Sequence, residues 1–385
     1  MKCSTASIVT AALLAGLAGS SAHAGIFSDN NIVVMRVGHS NVGGGGDVIL
    51  DEYTRTGSAV GNQIVLPTSG PDAFSAADVM DHDRHLHRST NGQYLTLTGY
   101  NAAPGPSDPA AGTSARVVGV VNQSGSVDLS TKLTDAYQPG TIRNAIRGAF
   151  TTDGNAIWTG GDNSGDSSTT GGLRYTTLGS STTVNLSRTQ INGGSPQADN
   201  VRDVGVYGSQ LFDSSGSGSS IGKGVLKVGT GMPTSGSQSV TALETDNVSV
   251  SCFAMLDLNP SIAGVDTLFT ATDASVRKYI LQGNGTWLAS GTVATIANNS
   301  VEQIIAGVNA NGSVSVFFAG TSAVLSFNDP TPATGSIAGI TASTIVTAPV
   351  GYTLGGIEFV PTPAPGAFAL LVAAAPVALR RRRTV

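Results

Sequence analysis

One short-strand unit recurs along this chain, and that repetition restricts the available folds more than any other feature. The unit is plainest between Ile142 and Ser187, which reads IRNAIRGAFTTDGNAIWTGGD, then a Gly/Ser loop, then GGLRYTTLGSSTTVNLS. Ala149-Phe150 and Ile157-Trp158 are apolar runs on either side of Asp153-Gly154, a pair suited to the positive φ of a hairpin turn. Beyond the loop, Leu173-Arg174-Tyr175 and Val184-Asn185-Leu186 alternate apolar with polar around Gly179-Ser180-Ser181, so the unit offers four antiparallel strands. A second copy runs through HLHRSTNGQYLTLTGY, ARVVGVV and SVDLSTKL with its turn at Asn91-Gly92. In three later copies the first strands start near Val201, Ser251 and Val301, 50 residues apart each time. The opening unit has only three strands, and Tyr352–Val360 falls on the next beat with no hairpin after it. Units of this length with four strands are propeller blades. The expected fold is therefore an all-β propeller of six four-stranded blades, seven being the alternative count, with 352–360 pairing with 31–37 to close the ring and hide two sheet edges.

Composition agrees with that architecture. Charged residues are 12% of the chain and glycines number 50, which suits tight turns between short strands and argues against long helices. Removing Lys2 and Arg380–Arg383 leaves 15 of the 20 basic residues against all 25 acidic ones, a balance of −10 that repels nucleic acid. Cys3 lies in the leader, so the body keeps only Cys252, which reads as a small buried hydrophobe within VSVSCFAML and leaves no internal disulfide.

Both ends carry sorting signals. Lys2, an apolar run from Ile8 to Ala18 and then Ala22-His23-Ala24 make a secretory leader (residues 1–24), with cleavage before Gly25. The body, 25–360, is followed by a tail, 361–385: Pro361-Thr362-Pro363-Ala364-Pro365-Gly366, the apolar segment Ala367–Leu379, and Arg380, Arg381, Arg382 and Arg383. Thirteen apolar residues reach about 20 Å as a helix, short of a hydrocarbon core of about 30 Å, and Pro376 interrupts them. The expectation is a transmembrane helix that stays in the membrane briefly, with the arginines as the cytoplasmic stop. A proline-led motif, a short apolar segment and a terminal arginine cluster on a protein with a leader resemble the PEP-CTERM sorting tail of exported bacterial proteins. That resemblance implies recognition by a membrane enzyme of the exosortase type and delivery to the cell envelope, surface or extracellular matrix. Pro361-Thr362-Pro363 departs from the usual Pro-Glu-Pro. The body segment STNGQYLTLTGYNAAPG also resembles exported propeller proteins, a likeness that implies no activity.

The one dense group of ligand-type side chains is DVMDHDRHLHRS, which holds three of the body's four histidines. His85 and His87, two apart, share a face if they lie on a strand, and with His82 and a carboxylate from Asp81 or Asp83 they form a candidate site for Zn²⁺ or a similar divalent ion. The plainer reading is a solvated loop entering an inner strand. Ser220 in GSSIG matches a nucleophile pattern only by letters, GDNSGD lacks the spacing of a Ca²⁺ loop, and GSGSSIGKG lacks the Ser/Thr of a phosphate loop.

The functional expectation is a non-enzymatic binding or structural module displayed outside the cell, without catalytic residues or an organic cofactor. The alternative is a metal-dependent propeller hydrolase or lyase using the His82–His87 cluster. For sorting, intact-mass measurement on envelope-fraction protein is expected to give a species that begins at Gly25 and lacks Arg380–Arg383; a full-length species still carrying Met1 contradicts it.

Overall fold

Each repeat becomes one antiparallel sheet, and the sheets follow one another around an axis. The computed structural model describes residues 26–39, 43–77, 82–138, 144–162, 170–186, 188–189, 200–217, 223–244, 246 and 248–362. The leader, the cleavage residues Ala22, Ala24 and Gly25, the tail from Pro363 through Pro365, Gly366 and Ala367–Leu379 to Arg380–Arg383, and Ser220 lie outside the described residues. Among the described residues there is no helix, and none long and apolar enough to cross a membrane.

Six four-stranded blades form a β-propeller. Blade 1 runs from the axis outward as Tyr352–Phe359, Ile32–Gly38, Val48–Tyr53 and Ala59–Val65. The innermost strands of blades 2 to 6 are Leu86–Arg88, Ile146–Thr151, Asn200–Tyr207, Cys252–Leu256 and Val301–Val308. Closure is as expected: Tyr352–Phe359 pairs antiparallel with Ile32–Gly38, from Ile32 opposite Phe359 to Gly38 opposite Tyr352. The last strand thus supplies the blade that the first three strands leave incomplete. One detail lies outside the repeat pattern. In blade 4 the short strand Arg188–Thr189 adds itself in parallel to the outer strand Gln238–Ala242, covering that edge.

Alternation along each strand makes both faces of a blade apolar, because each face meets a neighbouring blade. Six hydrophobic clusters result, one per interface. The closing interface packs Ile32, Val34, Leu354 and Ile357 of blade 1 against Ile305, Phe317 and Val324 of blade 6. Polar side chains add sutures near the axis. Gln303 of blade 6 accepts from Leu86 N at 2.7 Å and Ile357 N at 3.1 Å, and its amide donates to Leu86 O, tying blades 6, 1 and 2 together. Approach there is so close that a Cβ on Gly356 would lie 2.5 Å from Leu86 N. Cys252 is fully buried and its thiol is pushed well up by burial, so it is a core residue.

Glu244 gives the fold a pH dependence of its own. It is buried beside blade 4, accepts from Val225 N at 2.6 Å, and is pushed up to about 7 by burial. The folded state therefore holds a proton that the unfolded chain releases near the ordinary carboxyl pKa, so this contribution to stability is complete at low pH and fades as pH rises to about 7. Between pH 4.5 and 7.5 the native chain is expected to lose about 2–3 kcal/mol more unfolding free energy than Glu244→Gln, measured by denaturant titration. Parallel pH profiles for the two proteins contradict this.

Candidate active site

The inner strands carry a local device that strict alternation hides. In blades 3, 4 and 6 the register between the first two strands slips where Ile146 passes to Gly148, Val201 to Asp203 and Val301 to Gln303, so Arg147, Arg202 and Glu302 are extra residues at equivalent bulges. A bulge re-aims the side chains around it. In blade 4 the result is that Asp203 is buried at the axis. In blade 3 the corresponding residue is Gly148, with no side chain, and the carboxylate reaches past it to blade 2.

Blade 2 supplies the imidazoles. His85 Nδ1 lies 3.1 Å and His87 Nε2 2.7 Å from Asp203 Oδ1. The three residues are buried, and their ligand atoms lie within 4.8 Å of one another. Val204 N donates to Asp203 Oδ1 at 2.8 Å and Phe253 N to Oδ2 at 3.3 Å, which orients the carboxylate. Burial alone would raise the Asp203 pKa, but the two imidazoles hold it well below the usual carboxylate range. Burial lowers the His85 pKa despite Asp203. At His87 burial pulls down as well, yet the Asp203 charge prevails and the pKa lies above its ordinary value.

The sequence cluster is thus divided. His85 and His87 meet at one point, joined by Asp203 from a different blade. Asp81 lies outside the described residues. Asp83 sits with Arg84, whose Nε is 3.5 Å from Oδ1, and Arg84 also reaches Thr353 at 2.7 Å and Glu302 at 3.7 Å. His82 takes the left-handed φ of 63° and points elsewhere: its Nε2 is 3.1 Å from Asp273 Oδ1 and 3.5 Å from Ser251 Oγ, while its N–H donates to Glu302 Oε2 at 2.8 Å. The segment from His82 to His87 is buried, so the solvated-loop reading is corrected; it threads the channel, where the inner strands close over it.

The group suits a divalent ion in donor type. Two neutral imidazoles and a carboxylate are a common triad for zinc, with contacts of about 2.0–2.2 Å. A tetrahedral set at such distances has ligand atoms about 3.3 Å apart, so an ion entering here spreads the present 2.7 and 3.1 Å contacts by a few tenths of an ångström. Room exists because Gly148 has no side chain. A Cβ there would lie 3.2 Å from Asp203 Oδ1, 3.4 Å from His85 Nδ1 and 3.6 Å from His87 Nε2. His85 Nε2 is buried without a hydrogen bond.

Above this point a cavity of about 540 Å³ opens where the inner strands finish, lined among others by His87, Glu358, Tyr207, Phe253, Met255 and Gln303. Glu358 Oε2 accepts from Arg88 N at 3.1 Å and Oε1 from Phe359 N at 2.8 Å, yet burial still raises its pKa. Burial also holds the Tyr207 hydroxyl in its protonated form.

No protein-family model and no curated protein matches the sequence. Among solved structures the chain is similar to a periplasmic gluconolactonase of Pseudomonas aeruginosa, with 11% identity and a TM-score of 0.47, covering 86% of this chain and 100% of that one. It is also similar to a chain described as a gluconolactonase (12% identity, TM-score 0.40, 73% of this chain and 90% of that). A third is the extracellular domain of a one component system from B. thetaiotaomicron (12% identity, TM-score 0.37, 84% of this chain and 38% of that). Such distant likeness is one of fold. The expectation of a non-enzymatic module is corrected in favour of its alternative on this chain's own buried cluster of His85, His87 and Asp203, and the case for chemistry is made from those residues.

Gly148 provides the direct check on the space between the ligands. Its backbone is not in the left-handed region, so Gly148→Ala is expected to fold with a nearly unchanged melting temperature while binding Zn²⁺ at least about tenfold more weakly by calorimetry, since a methyl there crowds an ion needing contacts near 2 Å. Equal affinity in both proteins contradicts the placement of the ion.

Proposed function

We propose that this protein is a divalent-metal-dependent hydrolase of small substrates, with His85, His87 and Asp203 as metal ligands under the cavity. The observation that carries the reading is the convergence of those three side chains, from two blades and across a glycine of a third, on one buried point whose rim residue His87 faces the cavity. Side chains serving stability alone are seldom gathered so: two imidazoles compete for one carboxylate oxygen, and one ring nitrogen is left buried with no partner.

Hydrolysis requires an activated water and a proton for the leaving group. A divalent ion here would supply the first by lowering the pKa of bound water. Glu358 suits the second role. It lines the same cavity as His87, and its raised pKa keeps the carboxyl protonated further toward neutrality than an ordinary glutamate. Tyr207, Phe253 and Met255 make an apolar wall for the rest of a small molecule, while Gln303 is occupied by blade-to-blade bonds and keeps the floor rigid. The cavity volume of about 540 Å³ favours a compact substrate over a polymer.

A panel of chromogenic esters and lactones tests the reading. Turnover is expected to vanish on chelation and return with Zn²⁺ or Mn²⁺. Asp203→Asn and His85→Ala should each lower kcat by at least about 100-fold, and Glu358→Gln by about 10–100-fold with KM little changed. Turnover that survives exhaustive chelation, with no metal in elemental analysis, overturns the metal requirement.

A further inference from the structure

The end of the described chain lies at the rim of the cavity. Tyr352–Phe359 runs along the axis toward the mouth, as Glu358 and Phe359 both line the cavity. Val360 N then donates to Asn31 O at 3.2 Å and Thr362 N to Gly92 O at 2.7 Å. Arg88 clamps the same spot, its Nη2 donating to Thr362 Oγ1 at 3.2 Å and its Nε to Gly92 O at 3.1 Å. Gly92 and Arg88 are themselves cavity-lining residues, so the chain is tied down at the mouth and leaves from there. The next residues in sequence are Pro363-Ala364-Pro365-Gly366, then the apolar segment Ala367–Leu379 and four arginines. Fully extended chain covers at most about 3.6 Å per residue, so these four residues place the start of the apolar segment within about 15 Å of the rim.

We infer that a lipid bilayer surface is the partner of this face: while the C-terminal segment is in place, the cavity mouth is held against the membrane. The site then takes small molecules, or molecules released from the bilayer, and polymers are kept out by position as well as by cavity size. Removal of the tail near Pro361–Gly366 would turn the same site toward bulk solution. The far end of the channel, where Asp273 and Ala274 turn between the second and third strands of blade 5, points away from the membrane in this arrangement.

Cysteine labelling reads the orientation without reading catalysis. Cys252 is fully buried, so an added cysteine reports alone. The mature chain, Gly25 to Val385, is reconstituted in vesicles of phosphatidylethanolamine and phosphatidylglycerol, carrying Thr90→Cys at the exposed mouth or Ala274→Cys at the exposed far end. Each site is labelled with a bulky polymer-linked maleimide, and the rate is divided by that for a small maleimide. The ratio is expected to be about tenfold lower for Thr90→Cys, and a Gly/Ser insertion of about 30 residues after Gly366 should bring the two together by freeing the body from the surface. Equal ratios without the insertion, or failure of the chain to sediment with the vesicles, overturns the inference. Metal content and ester turnover play no part, so this result stands apart from the hydrolase reading.

Discussion

A ring of blades is stable only if it shuts, and here shutting depends on one antiparallel pairing between residues more than 300 positions apart, such as Ile32 with Phe359. Without it, the strand Ile32–Gly38 presents an open edge at the axis and the cluster of Ile32, Val34, Ile305 and Phe317 loses its packing against Leu354 and Ile357. The other five interfaces are built by neighbours in sequence. This one alone carries a large loop-closure cost, offset by a ladder of hydrogen bonds with one bulge and by a buried apolar interface. Cation–ring contacts reinforce it, with Arg36 over Tyr352 and Arg55 over Phe359.

Closure also brings the chemistry together. Once six inner strands face one axis, side chains from blades with no sequence proximity become neighbours, and their polarity must be satisfied inside the channel. Gln303 meets that need by bonding, as does Arg84 between Thr353, Asp83 and Glu302. The point shared by His85, His87 and Asp203 is different, because one carboxylate oxygen faces two imidazoles beside a space kept open by a glycine. Buried charge gathered this way is costly for stability alone, and the proposed metal site under the cavity is the use that accounts for that cost.

The propeller hosts many chemistries, and its fold decides none of them. Here the fold contributes geometry: a channel lined by six inner strands, bulges at equivalent points of three blades, and a cavity where those strands finish. The strand that shuts the ring ends at the mouth of that cavity, where Thr362 is tied to Gly92 and Arg88. Ring closure and the rim of the cavity thus meet in the few residues from Tyr352 to Thr362.

Much of this is legible in the residues themselves. Turn glycines at 92, 154 and 179, each with positive φ, and the beat of strands near 201, 251 and 301 specify blades, because hairpin geometry is local and the side-chain period is 2. The three-strand start and the solitary Tyr352–Val360 specify closure, because an unpaired edge needs a partner. The pairing of His85 with His87 follows from their spacing. Asp203 does not announce itself. In VRDVGVY it is one acidic residue among many, and alternation misjudges its direction because Arg202 is an inserted bulge residue. Gly148 is equally silent, since a glycine in a strand reads as a weakness until Asp203 is seen to reach across it. His82 and Asp83 look like ligands in the sequence and are turned to other partners by a left-handed backbone and a neighbouring arginine. Local pattern determines strands, turns and the order of blades; which side chains share a point at the axis depends on contacts between blades, and only the closed ring decides them.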